Sequence, residues 1–355
     1  MLSGVFFTLV HVPEANFGQF WRTFFELSCR LINQSDSMKK VLFITLITLL
    51  FTSAGAQEWQ TLSTANSCTN RHENALTAVK DKLVLLGGRG IKPVEILDLK
   101  TKTWTTLKES PIEMHHFQAI TYNNEVWVLG AFTGGYPHET PIPNIYIFNP
   151  DKNEWRVGPE IPTERRRGAA GVLVHRNKIY MVCGIQDGHW DGHVAWLDEY
   201  DPKTNSWRKL ADAPHARDHV QAVVVDDKIY VAGGRRSTAR INQVLNLTEK
   251  AVDVYDFKTN TWSTLDEDLP TLRAGNASVA LGKKVLVIGG ESGEQVPAHS
   301  EVEALNTKTM KWETLPPLKQ GRHGTGAVNV KGKIYIVAGS GNRGGGPELN
   351  SVEAY

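Results

Sequence analysis

The chain has 355 residues, 41% hydrophobic and 9% aromatic, with 39 Lys and Arg against 38 Asp and Glu for a formal net charge of +1. That apolar share is ample for a buried core. The charge balance gives no global attraction to nucleic acid or to an anionic membrane surface, and no apolar run approaches the ~20 residues of a bilayer-spanning helix.

In chain order, the first recognisable segment begins at Met38 and reads MKKVLFITLITLLFTSAGAQ. A short basic start, an uncharged apolar run and Ala54-Gly55-Ala56 make residues 38–56 an expected secretory signal peptide, cleaved before Gln57. Residues 1–37 are then expected to lie upstream of the true start. The Lys-Lys start favours a bacterial source, and the expected location is secreted or periplasmic. Subtracting the four basic and three acidic residues of 1–56 leaves 35 charges of each sign on residues 57–355. Cys29 falls in the removed segment. Cys68 and Cys183 remain, too few for a disulfide scaffold.

From residue 57 onward the sequence repeats itself. Apolar runs ending in small residues recur as LVLLGG, VWVLGA, IYMVCG, IYVAGG, VLVIGG and IYIVAG, closing at 88, 131, 184, 234, 290 and 339. A second series, VEILDLKTKTW, IYIFNPDKNEW, LDEYDPKTNSW, VDVYDFKTNTW and VEALNTKTMKW, sets a hydrophobic residue seven positions before a tryptophan. No interval carries a sustained i, i+3, i+4 apolar pattern, which excludes helices as the main element. Each unit reads instead as four short strands separated by turn formers such as Asp-Pro, Thr-Asn and Gly-Lys.

Four antiparallel strands recurring at about fifty residues describe a blade of a β-propeller. The Gly-Gly, Tyr and Trp signature resembles the kelch family over nearly all of residues 57–355. The expected fold is therefore all-β, a six-bladed kelch propeller. The last repeat ends at Tyr355 without its tryptophan, and QEWQTL, near the expected mature start, supplies it as Trp59. The N-terminal strand is thus expected to complete the sheet of residues 322–355 and close the ring, which removes sheet edges. Cys68 and Cys183 fall on different blades, so no bridge between them is expected.

Propeller sites gather where loops converge on the axis. Aligning the loops that approach each first strand gives Arg71, Met114, Arg167, Arg217, Arg273 and Arg322 at one register. The next two registers read His72, His115, Gly168, Asp218, Ala274, His323 and then Glu73, His116, Ala169, His219, Gly275, Gly324. Five arginines at one register suggest a cationic axial mouth, since a guanidinium offers a rigid fork of donors to carboxylates and sulfates. The resemblance implies the same face, because kelch adaptors grip acidic peptides with such arginines. The alternative is a consensus role, fixing loops by bonds to carbonyls of adjacent blades.

The exit loops, which leave each glycine-ended strand, add Arg89, then Tyr136, His138 and Glu139, then Asp187, His189, Trp190, Asp191 and His193, then Arg235 and Arg236, then Glu291, then Asn342 and Arg343. Aromatic faces and paired charges are what a carbohydrate site requires. Candidate ligand-binding residues are Arg71, His72, His115, His116, Arg167, Arg217, Arg235, Arg273, Arg322, His323, Trp190 and Asn342. His189 and His193 read as solvated loop residues.

Acid–base chemistry on a bound sugar would fall to Asp218, His219 and Glu291, and the resemblance permits it because sialate epimerases are kelch propellers. Copper-radical oxidation, as in galactose oxidase, needs a Tyr-His pair that this chain lacks. Histidines approach the mouth from several blades, but none shows a recognised ligand spacing, so no metal or other cofactor is expected. The readings left open are a propeller binding an acidic or hydroxylated glycan or another small anion, an enzyme at the same mouth, and a protein-interaction platform. A monomer is expected, with no nucleic acid and no membrane insertion.

Overall fold

Where two residues of positive φ fall between apolar runs, the chain turns back on itself at once. Asn123-Asn124, Arg176-Asn177 and Asp226-Asp227 are such pairs, with φ between 47° and 61°, each joining a first strand to a second by a two-residue turn. That turn type twists the way the strands do. A computed structural model describes residues 57–355; the segments expected to be an upstream start (1–37) and a signal peptide (38–56) lie outside the described residues.

Six four-stranded antiparallel sheets form among the described residues. In blade 1 the strands are Asn74–Val79, Lys82–Gly87, Pro93–Asp98 and Thr103–Glu109. Blades 2 to 5 repeat the plan over 120–160, 171–209, 222–264 and 277–315. Blade 6 takes Ala327–Val330, Lys333–Val337 and Val352–Ala354 from the C-terminus and Gln60–Thr61 from the N-terminal side. Gln60 pairs with Ala354 and Thr61 with Glu353, so the expected closure is present. The molecule is an all-β, six-bladed propeller.

The strand order explains the sequence pattern. After a charged first residue such as Lys82 or Lys178, second strands run apolar because both faces are covered by neighbouring blades, as with Leu83, Val84, Leu85 and Leu86, all buried. Fourth strands lie outermost and alternate, as in TWTTLKE, where Trp104 is buried and Thr105 and Thr106 are exposed. The seven-residue spacing is the geometry of the last hairpin: Leu97 faces Trp104, Phe148 faces Trp155 and Tyr200 faces Trp207. Cys68 and Cys183 are buried free thiols, at the approach to blade 1 and at the end of blade 3's second strand.

Candidate axial site

The five register arginines do not face the mouth. Arg71, Arg167, Arg217, Arg273 and Arg322 are at most 1% exposed, and each pairs with a carboxylate on the third strand of its own blade. The partners are Glu95, Asp198, Asp253, Glu303 and Glu353. Further donors of each bind carbonyls of the same blade: Arg217 reaches Gly233 O at 3.1 Å and Ala251 O at 2.8 Å. This corrects the expectation of a cationic mouth. A buried guanidinium must satisfy its donors locally, and the fork is consumed in tying the second strand to the third.

One blade tests that account. Met114 replaces the arginine in blade 2, and the matching third-strand position, two residues before Phe148, is Tyr146 rather than a carboxylate. Cation and anion are lost together.

What does reach the axis is the third register of the approach loops. Glu73, His116, Ala169, His219, Gly275 and Gly324 all have φ between 49° and 62°. That left-handed turn aims each backbone at the next blade. His116 N donates to Glu73 O at 3.0 Å, Ala169 N to His116 O at 2.9 Å, Gly275 N to His219 O at 2.8 Å and Gly324 N to Gly275 O at 3.0 Å. The conformation costs a non-glycine residue ~1–2 kcal/mol, so four blades hold Glu73, His116, Ala169 and His219 under strain at the centre of the ring.

Side chains of this belt enclose a chamber of about 30 Å³ lined by Glu73, His116, Ala169, His219, Gly275 and Gly324 among others. Above it the exit loops wall a basin of about 540 Å³ that includes His72, Arg89, Tyr136, His189, Arg235 and Glu291. Glu73 and His116 line both spaces.

Two exit-loop hairpins build one side. Phe132–Thr133 pairs with Thr140–Pro141, and Ile185–Asp187 pairs with Asp191–His193. Their tips interlock: His189 Nδ1 lies 2.9 Å from Glu139, whose carboxylate also takes a 2.7 Å bond from Arg89. Gly188 is required for that approach, because a Cβ there would meet Glu139 Oε2 at 1.9 Å. The opposite side is polar. Asp218 accepts from Ser237 Oγ at 2.7 Å and Ser237 N at 2.8 Å, and its other neighbour is His219 Nδ1. Arg235 pairs with Glu291, which also accepts from Gly344 N at 2.7 Å.

The electrostatics follow from burial. Burial, then the neighbouring imidazoles, holds His116 well below the ordinary histidine value. Burial and the Arg235 charge lower His219, and burial with the Arg89 charge brings His115 down to about 4. Burial opposes ionisation of Asp218 most strongly, but His219, Arg235 and Ser237 together outweigh it and hold the carboxyl low. Glu291 is held low against burial by His323 and Arg235, and Glu139 by His189 and Arg89. The site thus sets three imidazoles of lowered basicity, His115, His116 and His219, among carboxylates held in the ionised form.

Of the other predicted residues, Arg235 and Glu291 line the basin and His72 forms its wall, bonded to Glu348 at 2.7 Å. His115 is buried behind His116, their Nδ1 atoms 2.6 Å apart. His323 is buried and bonds Asn342 through the backbone carbonyl at 2.8 Å, so the Asn342 side chain is not what this contact uses. Trp190 packs against His138, centroids 4.6 Å apart and planes tilted by 39°, outside the basin lining. His189, read from sequence as solvated, is buried at the axis. Glu73 stood in the aligned third register; Glu139 and His189 sit in exit loops of unequal length, where no register marks them.

Comparison with known proteins agrees with this architecture. Residues 131–339, more than half the chain, match the family model described as the KLHDC2/KLHL20/DRC7 Kelch-repeats domain. Kelch-like protein terF of Aspergillus terreus is 28% identical over 287 residues, 76% of this chain and 61% of that protein. Kelch-like protein 38 of Rattus norvegicus is 25% identical over 280 residues, 78% of this chain and 45% of that protein. The chain thus spans about half the length of the curated relatives it matches. Among solved structures, one titled "Structure of YjhT" superposes with a TM-score of 0.68 at 17% identity, over 81% of this chain and 95% of that one.

Proposed function

Starting from the chain's membership of the kelch-repeat family, we propose that the axial basin binds a polyhydroxylated ligand, with carbohydrate as the class that fits best. The carrying observation is the basin itself, whose about 540 Å³ suits a small glycan and whose walls mix donors and acceptors. Arg89 is a half-buried donor, Glu73 and Glu291 are acceptors, and Tyr136 stands at the rim, 59% exposed. An exposed ring of that kind offers a face to the C–H surface of a sugar. Export to the periplasm or the cell exterior belongs to the same reading and would put the basin among free glycans.

A purely anionic ligand has less support. The five register arginines are spent within their blades, and Arg89 and Arg235 are each paired with a carboxylate. Turnover by Asp218, His219 and Glu291 also has less support, because Asp218 is fully buried with its oxygens bound to Ser237 and His219. A protein or peptide ligand is the second reading. It is favoured by Ile91, Tyr136, Ile241 and Val296, more than half exposed on four separate exit loops. Exposed apolar side chains ringing a polar cavity are a mark of macromolecular contact.

A glycan array followed by calorimetry tests the primary reading. The expected result is a glycan hit whose affinity falls at least about tenfold in Tyr136→Ala and Arg89→Ala and is unchanged in Arg236→Ala, which is exposed outside the basin lining. No hit, or equal binding in all three variants, would overturn it.

A further inference from the structure

Three imidazoles from three blades meet at the floor of the basin. His116 comes from the approach loop of blade 2, His189 from the exit loop of blade 3 and His219 from the approach loop of blade 4. Ring centroids are 5.0 Å apart for His116 and His189, 4.9 Å for His116 and His219 and 4.6 Å for His189 and His219. One nitrogen of each lies within 4.8 Å of the other two, and all three residues are buried. We propose that His116, His189 and His219 form a three-histidine site for a divalent transition-metal ion, with zinc as the reference ion.

The hydrogen bonds around the cluster decide which nitrogens are available. His219 presents Nδ1 to Asp218 and His189 presents Nδ1 to Glu139. A carboxylate accepts, so both nitrogens carry the proton and each Nε2 keeps its lone pair. His115 Nε2 lies 3.0 Å from the Gly134 carbonyl and must donate to it. Its Nδ1 therefore accepts from His116 Nδ1 at 2.6 Å, leaving Nε2 of His116 unprotonated too. Each ring therefore keeps one lone pair, on Nε2, available to a shared cation.

That arrangement is costly without a cation. His219 Nε2 is buried with no hydrogen-bond partner among the described residues, and an unpaired buried polar atom costs ~1–3 kcal/mol. His116 Nε2 stands 3.3 Å from Glu73 Oε2, lone pair against carboxylate. A positive ion between them turns that repulsion into attraction. The charge count points the same way: Glu73, Glu139, Asp218 and Glu291 surround the cluster, and two arginines, Arg89 and Arg235, offset them in part.

The second ring of contacts has the form that orients metal-bound histidines. Asp218 is held by Ser237 and Glu139 by Arg89, so each imidazole is braced from behind by a carboxylate that is itself braced. Tetrahedral coordination at ~2.0–2.1 Å needs nitrogens about 3.3 Å apart. From a separation of at most 4.8 Å, each ring would move inward by roughly 0.8 Å, a side-chain adjustment. Three protein ligands leave a fourth position, and the basin stands over it. Sequence alignment put His116 and His219 at one register, but His189 sits in an exit loop that no register aligns with them.

The inference concerns the same basin as the proposed ligand but does not depend on that ligand, because metal binding is read alone. Chelator-stripped full-length protein would be titrated with Zn²⁺ by calorimetry and with Co²⁺ by visible absorption. The expected result is one ion per chain and tetrahedral cobalt bands, with affinity falling at least about 100-fold in His189→Ala and His219→Ala. Glu139→Gln, which keeps the ligands and disturbs only the brace, is expected to weaken binding about tenfold or more, so the test survives a histidine variant that fails to fold. Absence of a stoichiometric ion, or equal affinity across the folded variants, would overturn the proposal. Metal binding with no glycan hit would sink the carbohydrate reading alone; a glycan bound equally by protein that takes no metal would sink this one alone.

Discussion

Trp59 lies against Tyr355, ring centroids 5.4 Å apart and planes tilted by 33°. The same contact recurs inside single repeats, at 4.8 Å between Tyr200 and Trp207 and 5.3 Å between Tyr255 and Trp262. Only here does it join residues nearly three hundred positions apart. Trp59 is fully buried among Leu318, Ile334 and Ile336, whereas Trp262 is half exposed. Trp59→Ala is expected to cost ~3–5 kcal/mol, and Trp262→Ala clearly less. Urea unfolding monitored by circular dichroism reads the difference, and equal midpoints would deny the closing strand its role.

The arginine–carboxylate pairs predict a rescue. Arg217→Met leaves Asp253 buried without its guanidinium, with His215 and Thr264 as its remaining side-chain partners, and is expected to cost up to ~3–5 kcal/mol. Blade 2 already carries Met114 and Tyr146 at the equivalent positions. The double variant Arg217→Met/Asp253→Tyr should therefore be more stable than Arg217→Met alone, measured by thermal or urea denaturation. Additive losses would mean that the pair is not a unit.

Burial pushes the Cys68 thiol up to about 12 and Cys183 up to about 11. Thiolate is the reactive form, so the native protein at pH 8 should show no rapid reaction with a thiol reagent at these two positions. Both should react on unfolding in urea. Fast labelling of either in the native state would place it at a mobile or exposed surface.

His299 supplies a pH test away from the mouth. It is buried, with Nε2 2.9 Å from Ser292 Oγ and Nδ1 3.2 Å from Glu301, and burial holds it below the ordinary value despite Glu301. Between the unfolded value near 6.5 and the lower folded value, the unfolded chain binds more protons. Stability then rises with pH through that window and is lost as pH falls through it. His299→Gln should flatten that slope by up to ~1.4 kcal/mol per pH unit. Denaturation at pH 5, 6 and 7 measures it, and parallel slopes would remove the residue from the account.

How much was legible can be argued from particular residues. The seven-residue interval from Tyr255 to Trp262 is a local hairpin, so it survives in the one-dimensional pattern. The left-handed register of Glu73, His116 and His219 was also visible by alignment, since equal loop lengths carry equal conformations. The direction of Arg217 was not. Its guanidinium turns into its own blade because Asp253 waits there, and the coupling shows in sequence only through Met114 and Tyr146.

The amino-acid order by itself determined the blade, its period, the count of six and the closure at Trp59, because strand alternation and tight turns act over a few residues. Only the tertiary structure decided what stands at the axis. His189 and Glu139 reach it on two interlocked hairpins, and which loops meet there depends on closing a ring of six sheets. Convergence of that kind is a property of the assembled circle, set by inter-blade packing, and no single repeat encodes it.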